Sequence, residues 1–227
     1  MAPNRQAADD PTARTVSKSD TAKRRRSRDL DAYFAAAEPL YAALDLETTG
    51  LDPECDQITH AAIWDNRGRG HVFSGEEPEL LAALDRHIAD TPYDTIYTWN
   101  GEGFDLNFLR VRANRHNITT GLRIAPTGEV SKYGTPRWDG HWEHARGRTA
   151  HIDIAYRWEP WCDISGVRWK LKPMAEHFGL NPIELDTTDM SQYTDEEITH
   201  YVLSDVRCTL ILAELWLAGE ADISAAA

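Results

Sequence analysis

Two carboxylates lie side by side at the end of an apolar segment. The stretch 41–50 reads YAALDLETTG, in which Asp45 and Glu47 follow an apolar run. In an extended strand, residues i and i+2 point to the same face, so the two carboxylates project together. Like charges at this spacing repel each other unless a cation lies between them. Carboxylate oxygens are hard ligands that suit Mg²⁺ or Mn²⁺, so the pair indicates a divalent-metal site. A polar strand edge remains the alternative for this pair alone.

A second acidic position follows a β-rich run. The stretch 97–105 reads YTWNGEGFD, in which Asn100 and Gly101 end the run and Asp105 stands where a helix begins. A carboxylate at that place is a common helix cap. It is also well placed as a further metal ligand, because α/β sheets bind ligands at the carboxyl ends of their strands. Both interpretations of Asp105 stay open at this point.

The third acidic position lies inside a long helical pattern. Thr194 and Glu197 form a capping box, so the helix is predicted to begin near residue 195. Asp205 lies within this helix beside an apolar stripe, and a carboxylate in such surroundings needs a partner. Tyr201 precedes Asp205 by four residues, which places it about 40° around the helix on the same face.

These three motifs, in this order, resemble the Exo I, Exo II and Exo III motifs of the DEDD (DnaQ-like) superfamily of 3′–5′ exonucleases. LDLETTG is similar to the first motif, NGEGFDLNFL to the second and YVLSDV to the third, and the resemblance covers roughly 40–216. It implies that two divalent cations, Mg²⁺ or Mn²⁺, are held by four carboxylates. Asp45 would bridge both ions, Glu47 and Asp205 would complete one site, and Asp105 would support the other.

The resemblance also implies a reaction and a substrate. Two-metal hydrolysis would remove nucleoside 5′-monophosphates from the 3′ ends of single-stranded DNA or RNA. Thr48, Leu51, Asn100 and Phe104 would contact the terminal nucleotide. Alternatively, Asn100 only forms a turn and Phe104 only packs in the core. Asp153, an acid within the apolar stretch HIDIAY, is expected to support either the site or only the fold.

The superfamily divides by a fifth residue, and this sequence offers both types. Tyr201 lies four residues before Asp205, and His200 lies five before it. His200 would be about 140° around the helix from Asp205, because the capping box places it within the helix. We therefore expect the tyrosine subtype (DEDDy), with Tyr201 orienting the attacking water. A phenol with an ordinary pKa of about 10 is a poor base at neutral pH.

Charge is distributed unevenly along the chain. The net charge is −13, but residues 1–28 hold eight Lys/Arg and only three Asp/Glu. The rest of the chain is therefore strongly acidic. A strongly acidic surface is not suited to coating a long duplex, so contact with nucleic acid is expected to be local. The segment 106–172 is the exception, because it is rich in Lys/Arg and in tryptophan, a composition that suits single strands. Its cations expected to contact the strand are Arg110, Arg112, Arg115, Lys170 and Lys172. Solvated arginines and core tryptophans are the alternative.

Alternating patterns predict an α/β protein with a ribonuclease-H-like mixed sheet of five to six strands flanked by helices. The predicted strands lie near 41–47, 57–64, 70–74, 94–99 and 150–156. The predicted helices lie near 77–89, 104–115, 169–179 and 195–218. Residues 117–149 are interpreted as turn-rich. We expect a disordered basic tail over 1–35, a single exonuclease-like domain over 36–220 and a frayed end over 221–227.

Composition bears on the compartment and on the partners of the protein. The three cysteines are widely spaced, which indicates a reducing compartment and neither a disulfide framework nor a zinc site. No apolar run reaches 18 residues, so no membrane partner is expected. A cytoplasmic protein is predicted, with nucleoid association or a nuclear location left open. A proofreading role would require a separate polymerase or other nucleic-acid-processing partner. A catalytically silent nucleic-acid-binding or scaffold module and an endonuclease acting on hybrids are the competing hypotheses.

Overall fold

A computed structural model describes residues 39–131, 134–187 and 190–219. In this part of the chain the strands are β1 (Tyr41–Thr48), β2 (Ile58–Asp65), β3 (Gly70–Ser74), β4 (Thr95–Thr98), β5 (Leu122–Val130), β6 (Pro136–His144) and β7 (Gly147–Asp153). The α-helices are α1 (Glu77–Asp90), α2 (Asp105–Arg115), α3 (Ile154–Ser165), α4 (Leu171–His177) and α5 (Asp195–Leu217). A short 3₁₀ turn covers Met190–Gln192. The basic tail predicted for 1–35 and the frayed end predicted for 221–227 lie outside the described residues.

The strands form one mixed sheet in the order β3-β2-β1-β4-β7-β6-β5. The central strands β1, β4 and β7 run parallel, and every other neighbouring pair is antiparallel. Parallel strands end at the same edge of a sheet, and here Thr98 at the end of β4 pairs with Asp153 at the end of β7. This edge is where α/β folds place their ligands.

Helices cover both faces of the central strands. Ala42, Leu44 and Leu46 of β1 pack into one core with side chains of α1 and α2. Ala43 of the same strand packs into the other core, with side chains of α3, α4 and α5. Because both faces are buried, β1 reads as a nearly continuous apolar run. Asp45 has the same parity as Ala43, so it projects from the face that α5 covers.

The sheet has seven strands within the described residues, and the prediction of five to six was too low. The missing pair is the hairpin of β5 and β6, which lies in the stretch that was interpreted as turn-rich. Nearly all of β5 is exposed, so it lacks the alternation of buried and exposed side chains that reveals a strand.

The helix α3 was also missed. The sequence pattern extended the strand to residue 156, whereas β7 ends at Asp153 and α3 begins directly after it. Asp153 caps this helix by accepting a hydrogen bond from the backbone N–H of Ala155. Pro160 lies inside α3 and hides the helical pattern, since proline normally ends a helix. Among the helices of the described residues, none combines the length and the apolar character that crossing a bilayer requires.

Candidate active site

Three of the predicted carboxylates meet between β1 and α5. Asp45 and Glu47 project from the end of β1, and Asp205 projects from the middle of α5. One oxygen from each of the three lies within 4.8 Å of the other two. Asp205 is buried, and Asp45 and Glu47 are half-buried. Three carboxylates this close in a sheltered site repel one another when ionised, and they form a donor set that a hard divalent cation would stabilise.

The fourth carboxylate, Asp105, lies at the first position of α2 and is only 3% exposed. It does not belong to the group within 4.8 Å, but it is close enough to act on Asp45 by its charge. Burial, and then the charge of Asp105, raises the pKa of Asp45 well above its ordinary value. The Oδ1 atom of Asp105 is buried without a hydrogen-bond partner among the described residues. Buried carboxylate oxygens normally have partners, so this atom is suited to a metal ligand.

Burial also raises the pKa values of the other acids. It raises the pKa of Glu47 to about 8, with the negative charge of Asp205 as the next cause. It raises the pKa of Asp105 to about 7, with the charge of Asp153 next in size. It raises the pKa of Asp205 to about 6, against the opposing effect of Lys172. Strongly perturbed acids that share one cleft are typical of functional sites.

A lysine is part of this acidic cluster. Lys172, in the first turn of α4, forms an ion pair with Oδ1 of Asp205. Its Nζ atom also lies 4.2 Å from the ring centroid of Tyr201. Lys172 was expected to contact a nucleic-acid strand, and its charge is instead engaged by Asp205.

Tyr201 is buried in α5 beside the acids, and it lines the same cavity as Asp45 and Asp205. Burial, and then the charges of Asp205, Glu47 and Asp45, raises the pKa of the Tyr201 phenol far above its ordinary value. The phenol therefore stays protonated and can donate a hydrogen bond. His200 is exposed and does not line this cavity.

The residues predicted to contact the terminal nucleotide are not part of the lining of this cavity. The hydroxyl of Thr48 donates to the carbonyl of Gly50 (2.6 Å), and the side chain of Leu51 is 83% exposed. Asn100 adopts a left-handed conformation with φ 67° and lines a neighbouring cavity. The ring of Phe104 packs 4.7 Å from that of Phe108, against the core.

Asp153 holds the loop that leads to Asp105. Its Oδ1 accepts from the backbone N–H of Asn100 (2.9 Å) and of Ala155 (3.0 Å). Its Oδ2 accepts from the backbone N–H of Glu102 (2.9 Å). Burial raises the pKa of Asp153 to about 7, although these hydrogen bonds oppose the rise. One carboxylate thus fixes both the start of α3 and the loop before α2.

The prediction for Arg112 as a strand contact was wrong. Its side chain is buried and forms two hydrogen bonds to Glu77, from Nε (2.9 Å) and Nη2 (2.6 Å). Arg115 donates to the carbonyl of Glu54 (2.8 Å), and Arg110 lies over the ring of Trp138. The basic composition of the segment therefore reflects packing as well as surface charge.

The tryptophans of this segment are mostly core residues. Trp142, Trp158 and Trp169 are buried, as in the alternative interpretation of the composition. One relevant cation was missed. Arg168 is exposed and lines the cavity of the acids, together with Lys170 and Lys172. The sequence signal for Arg168 was the alternation of basic and apolar residues in RWKLK. This alternation was overlooked because the helix predicted over 169–179 covered most of the stretch.

Comparisons with known proteins identify the family of this chain. A family model of the RNase H superfamily matches residues 42–217. A DNA polymerase of Methanocaldococcus jannaschii is 27% identical over 185 residues, which cover 74% of this chain and 11% of that protein. A DNA polymerase of Archaeoglobus fulgidus is 25% identical over 170 residues, covering 72% of this chain and 20% of that protein. A DNA polymerase epsilon catalytic subunit of Candida glabrata is 30% identical over 155 residues, covering 63% of this chain and 6% of that protein.

A solved structure supports the fold. The family B DNA polymerase from the archaeon Pyrobaculum calidifontis superimposes with a TM-score of 0.60 at 24% identity, over 79% of this chain and 25% of that one. The chain thus corresponds to a small part of the polymerases that it matches. These findings confirm the predicted α/β, ribonuclease-H-like fold and the resemblance on which the site prediction was based.

Proposed function

The chain belongs to the RNase H superfamily, and we propose on this basis that it is a metal-dependent 3′–5′ exonuclease. It would remove nucleoside 5′-monophosphates from single-stranded 3′ ends. The observation that carries this proposal is the convergence of Asp45, Glu47 and Asp205 from two distant parts of the chain, with the unpartnered Oδ1 of Asp105 nearby. A purely structural cluster would satisfy its buried oxygens with protein donors.

The residues of the cluster fit a pair of divalent cations. All four are carboxylates, the ligand type that Mg²⁺ and Mn²⁺ prefer, and we assign Asp45, Glu47, Asp105 and Asp205 as the metal ligands. When bound, such cations lower the pKa of a coordinated water and neutralise charge on the attacking and leaving oxygens.

The surrounding residues would position the reactants. The protonated phenol of Tyr201 can donate a hydrogen bond and would orient the attacking water, which is the role expected of the tyrosine in the DEDDy subtype. Asp153 accepts hydrogen bonds from the loop before Asp105 and would in this way help to position that carboxylate. Asn100 and Phe104 lie on the same approach to α2 and would contact the terminal nucleotide, with Thr48 and Leu51 on the β1 side.

The relatives favour DNA as the nucleic acid. The relatives named above are DNA polymerases. This chain corresponds to 6% of the length of the Candida glabrata protein and to 20% of the length of the Archaeoglobus fulgidus protein. We infer that a separate polymerase or another nucleic-acid-processing protein is the natural partner of this chain, and that RNA ends are poorer substrates.

The proposal is tested with an oligonucleotide labelled at its 5′ end and incubated with Mg²⁺ or Mn²⁺. We expect a ladder of shortened products, and we expect Asp45→Ala and Asp205→Ala to abolish it while circular dichroism shows that both variants are folded. A ladder that persists in both variants would contradict the site. Internal cuts in a circular single strand would indicate an endonuclease instead.

One observation favours a second function. The ammonium of Lys172 already neutralises part of the cluster through Asp205, as a bound cation would do. A catalytically silent module that binds single strands could be stabilised in this way without metal. Binding of an oligonucleotide without degradation under any divalent cation would support this second function.

A further inference from the structure

The five residues from Arg168 to Lys172 alternate between basic and apolar side chains. Trp169 and Leu171 are buried, whereas Arg168 and Lys170 are exposed. The backbone at Lys170 is extended, with φ −148° and ψ 150°. The chain turns at Trp169, where the backbone N–H of Lys170 donates to the carbonyl of Arg168 (2.8 Å), and Arg168 and Lys170 line the same cavity.

These basic side chains lie along the cavity of the acids. The cavity has a volume of about 600 Å³, and Arg168, Lys170 and Lys172 line it together with Asp45 and Asp205. A smaller cavity of about 230 Å³ adjoins it. The two share the side chains of Trp99, Lys170 and Leu171 in their linings. A continuous groove therefore leads from the carboxylates past Lys170 to Trp99.

The charges of Arg168 and Lys170 are not used by the fold. Most arginines in the described part of the chain are engaged by a carboxylate, a carbonyl or an aromatic ring, as in Arg69, Arg112, Arg115, Arg137, Arg146, Arg157 and Arg207. Within the same described residues, the side chains of Arg168 and Lys170 have no ion pair, hydrogen bond or ring contact. In a protein with a net charge of −13, two such cations beside an acidic site are well placed for an anionic ligand.

An aromatic ring completes the groove. Trp99 is half-buried, lines both cavities and makes no ring contact within the described residues. The acidic side chains of Glu176 and Glu184 also line the larger cavity, where they would repel phosphate. A groove with cations and an available ring along one wall matches the requirements of single-stranded nucleic acid, whose backbone follows the charge and whose bases stack.

We propose that Arg168, Lys170 and Trp99 form the subsite for the nucleotides next to the scissile 3′ end. Arg168 and Lys170 contact backbone phosphates, and Trp99 stacks on a base. The strand lies along this wall and avoids the side of Glu176 and Glu184. This inference rests on the proposed nuclease function, because it takes the carboxylate cluster as the place where the strand ends.

The test measures binding by fluorescence anisotropy in EDTA, with a fluorescein-labelled oligothymidylate and an oligouridylate of equal length. All variants carry Asp45→Ala, so that no degradation occurs. On single strands the logarithm of affinity falls by about 0.7 per phosphate contact for each tenfold rise in salt. We therefore expect the double variant Arg168→Gln/Lys170→Gln to bind about 25-fold more weakly at about 0.1 M salt, with a slope reduced by about 1.4.

Trp99 is tested by a pair of variants. Trp99→Leu should weaken binding about tenfold and leave the salt slope unchanged, because stacking releases no counterions. Trp99→Phe keeps an aromatic ring and should retain most of the affinity. Loss in both variants to the same extent would show that the indole supports only the fold and would overturn its assignment.

The matched control is the double variant Arg67→Gln/Arg86→Gln. Both arginines are exposed, and neither lines the cavities. An affinity and a slope that are equal in the control and in Arg168→Gln/Lys170→Gln would overturn the inference. In that case the ladder assay, with proteins that keep Asp45, separates the two proposals. A ladder with unchanged KM in Arg168→Gln/Lys170→Gln would leave the nuclease proposal intact and reject only the subsite. If the unmodified protein yields no ladder, the nuclease fails by itself.

Discussion

The ammonium of Lys172 forms an ion pair with Asp205 within the carboxylate cluster. The two residues lie on neighbouring helices, and both side chains are largely buried. The charge of Lys172 lowers the pKa of Asp205, of Glu47 and of Asp45, against the stronger effect of burial on each. Lys172 is therefore a built-in cation at a place that the proposed function assigns to metal.

Replacing Lys172 tests this relationship. Lys172→Met should lower the free energy of unfolding in EDTA by about 2 kcal/mol, which is less than for a fully buried pair because Asp205 can take up a proton. The same variant should bind Mn²⁺ more tightly, since no ammonium competes for Asp205. Urea unfolding and calorimetric titration measure the two effects. Lys172→Arg keeps the charge and is the control, and Mn²⁺ affinity that is equal in all three proteins would contradict the competition.

The raised pKa values predict how metal-free stability depends on pH. Glu47 and Asp105 have folded pKa values of about 8 and about 7, above their ordinary values of 4.5 and 3.8. Between pH 4 and pH 8 the folded state thus holds more protons than the unfolded state, so stability falls as pH rises. The slope is up to about 1.4 kcal/mol per pH unit for each proton.

Urea unfolding in EDTA at a series of pH values measures this slope. Saturating Mn²⁺ should reverse it, because bound cations favour the ionised carboxylates and are bound more tightly as pH rises. The double variant Glu47→Gln/Asp105→Asn should make the slope shallower, with the remainder due to Asp45, Asp153 and Asp205, whose pKa values are also raised. Stability that rises between pH 5 and pH 8 in metal-free protein would contradict the assignment of these pKa values.

Asp153 is expected to act on the site through the loop that it holds. In Asp153→Asn an amide NH2 group replaces one of the two acceptor oxygens. This group is a donor, so it cannot accept the hydrogen bond of the backbone N–H that it faces. We expect a loss of about 2 kcal/mol in the free energy of unfolding. Mn²⁺ affinity should also fall, because the loop no longer directs Asp105. Asp139→Asn, on an exposed position of β6, is the matched control and should leave both quantities unchanged.

The sequence predicted best what depends on short-range patterns. The apolar run before Asp45 revealed β1, because that strand is buried on both faces. The capping box at Thr194 located the start of α5, and its bonds are present in the structure. The alternation of side-chain direction along β1 predicted that Asp45 and Glu47 share a face, and helical spacing along α5 predicted the same for Asp205 and Tyr201. In the structure these two faces meet.

Contacts between distant residues could not be predicted in the same way. Glu77 and Arg112 are 35 positions apart, and no local pattern shows that they form a buried pair. Lys172 and Asp205 are 33 positions apart, so the lysine was interpreted as a surface cation. The exposed hairpin of β5 and β6 carries little burial pattern, and Pro160 concealed α3.

The pair of Arg112 and Glu77 yields a prediction about stability alone. Both side chains are buried, and Glu77 also accepts from the backbone N–H of Ile58 and contacts His116. Arg112→Met should lower the free energy of unfolding by about 3 kcal/mol, because a buried charge loses its partner. The salt dependence of oligonucleotide binding should not change. Arg115→Gln, which loses only a surface bond, should cost less than about 0.5 kcal/mol.

The central claim is that four carboxylates from separate parts of the chain hold two divalent cations. Titration of the metal-free protein with Mn²⁺, followed by electron paramagnetic resonance, tests it most directly. We predict two bound ions per chain with a spin-coupled spectrum, as expected for ions about 3.5–4 Å apart, and loss of the coupling in Asp45→Asn. Failure to bind Mn²⁺, or the same stoichiometry and spectrum in a variant with Asp45, Glu47, Asp105 and Asp205 all replaced by their amides, would contradict the claim.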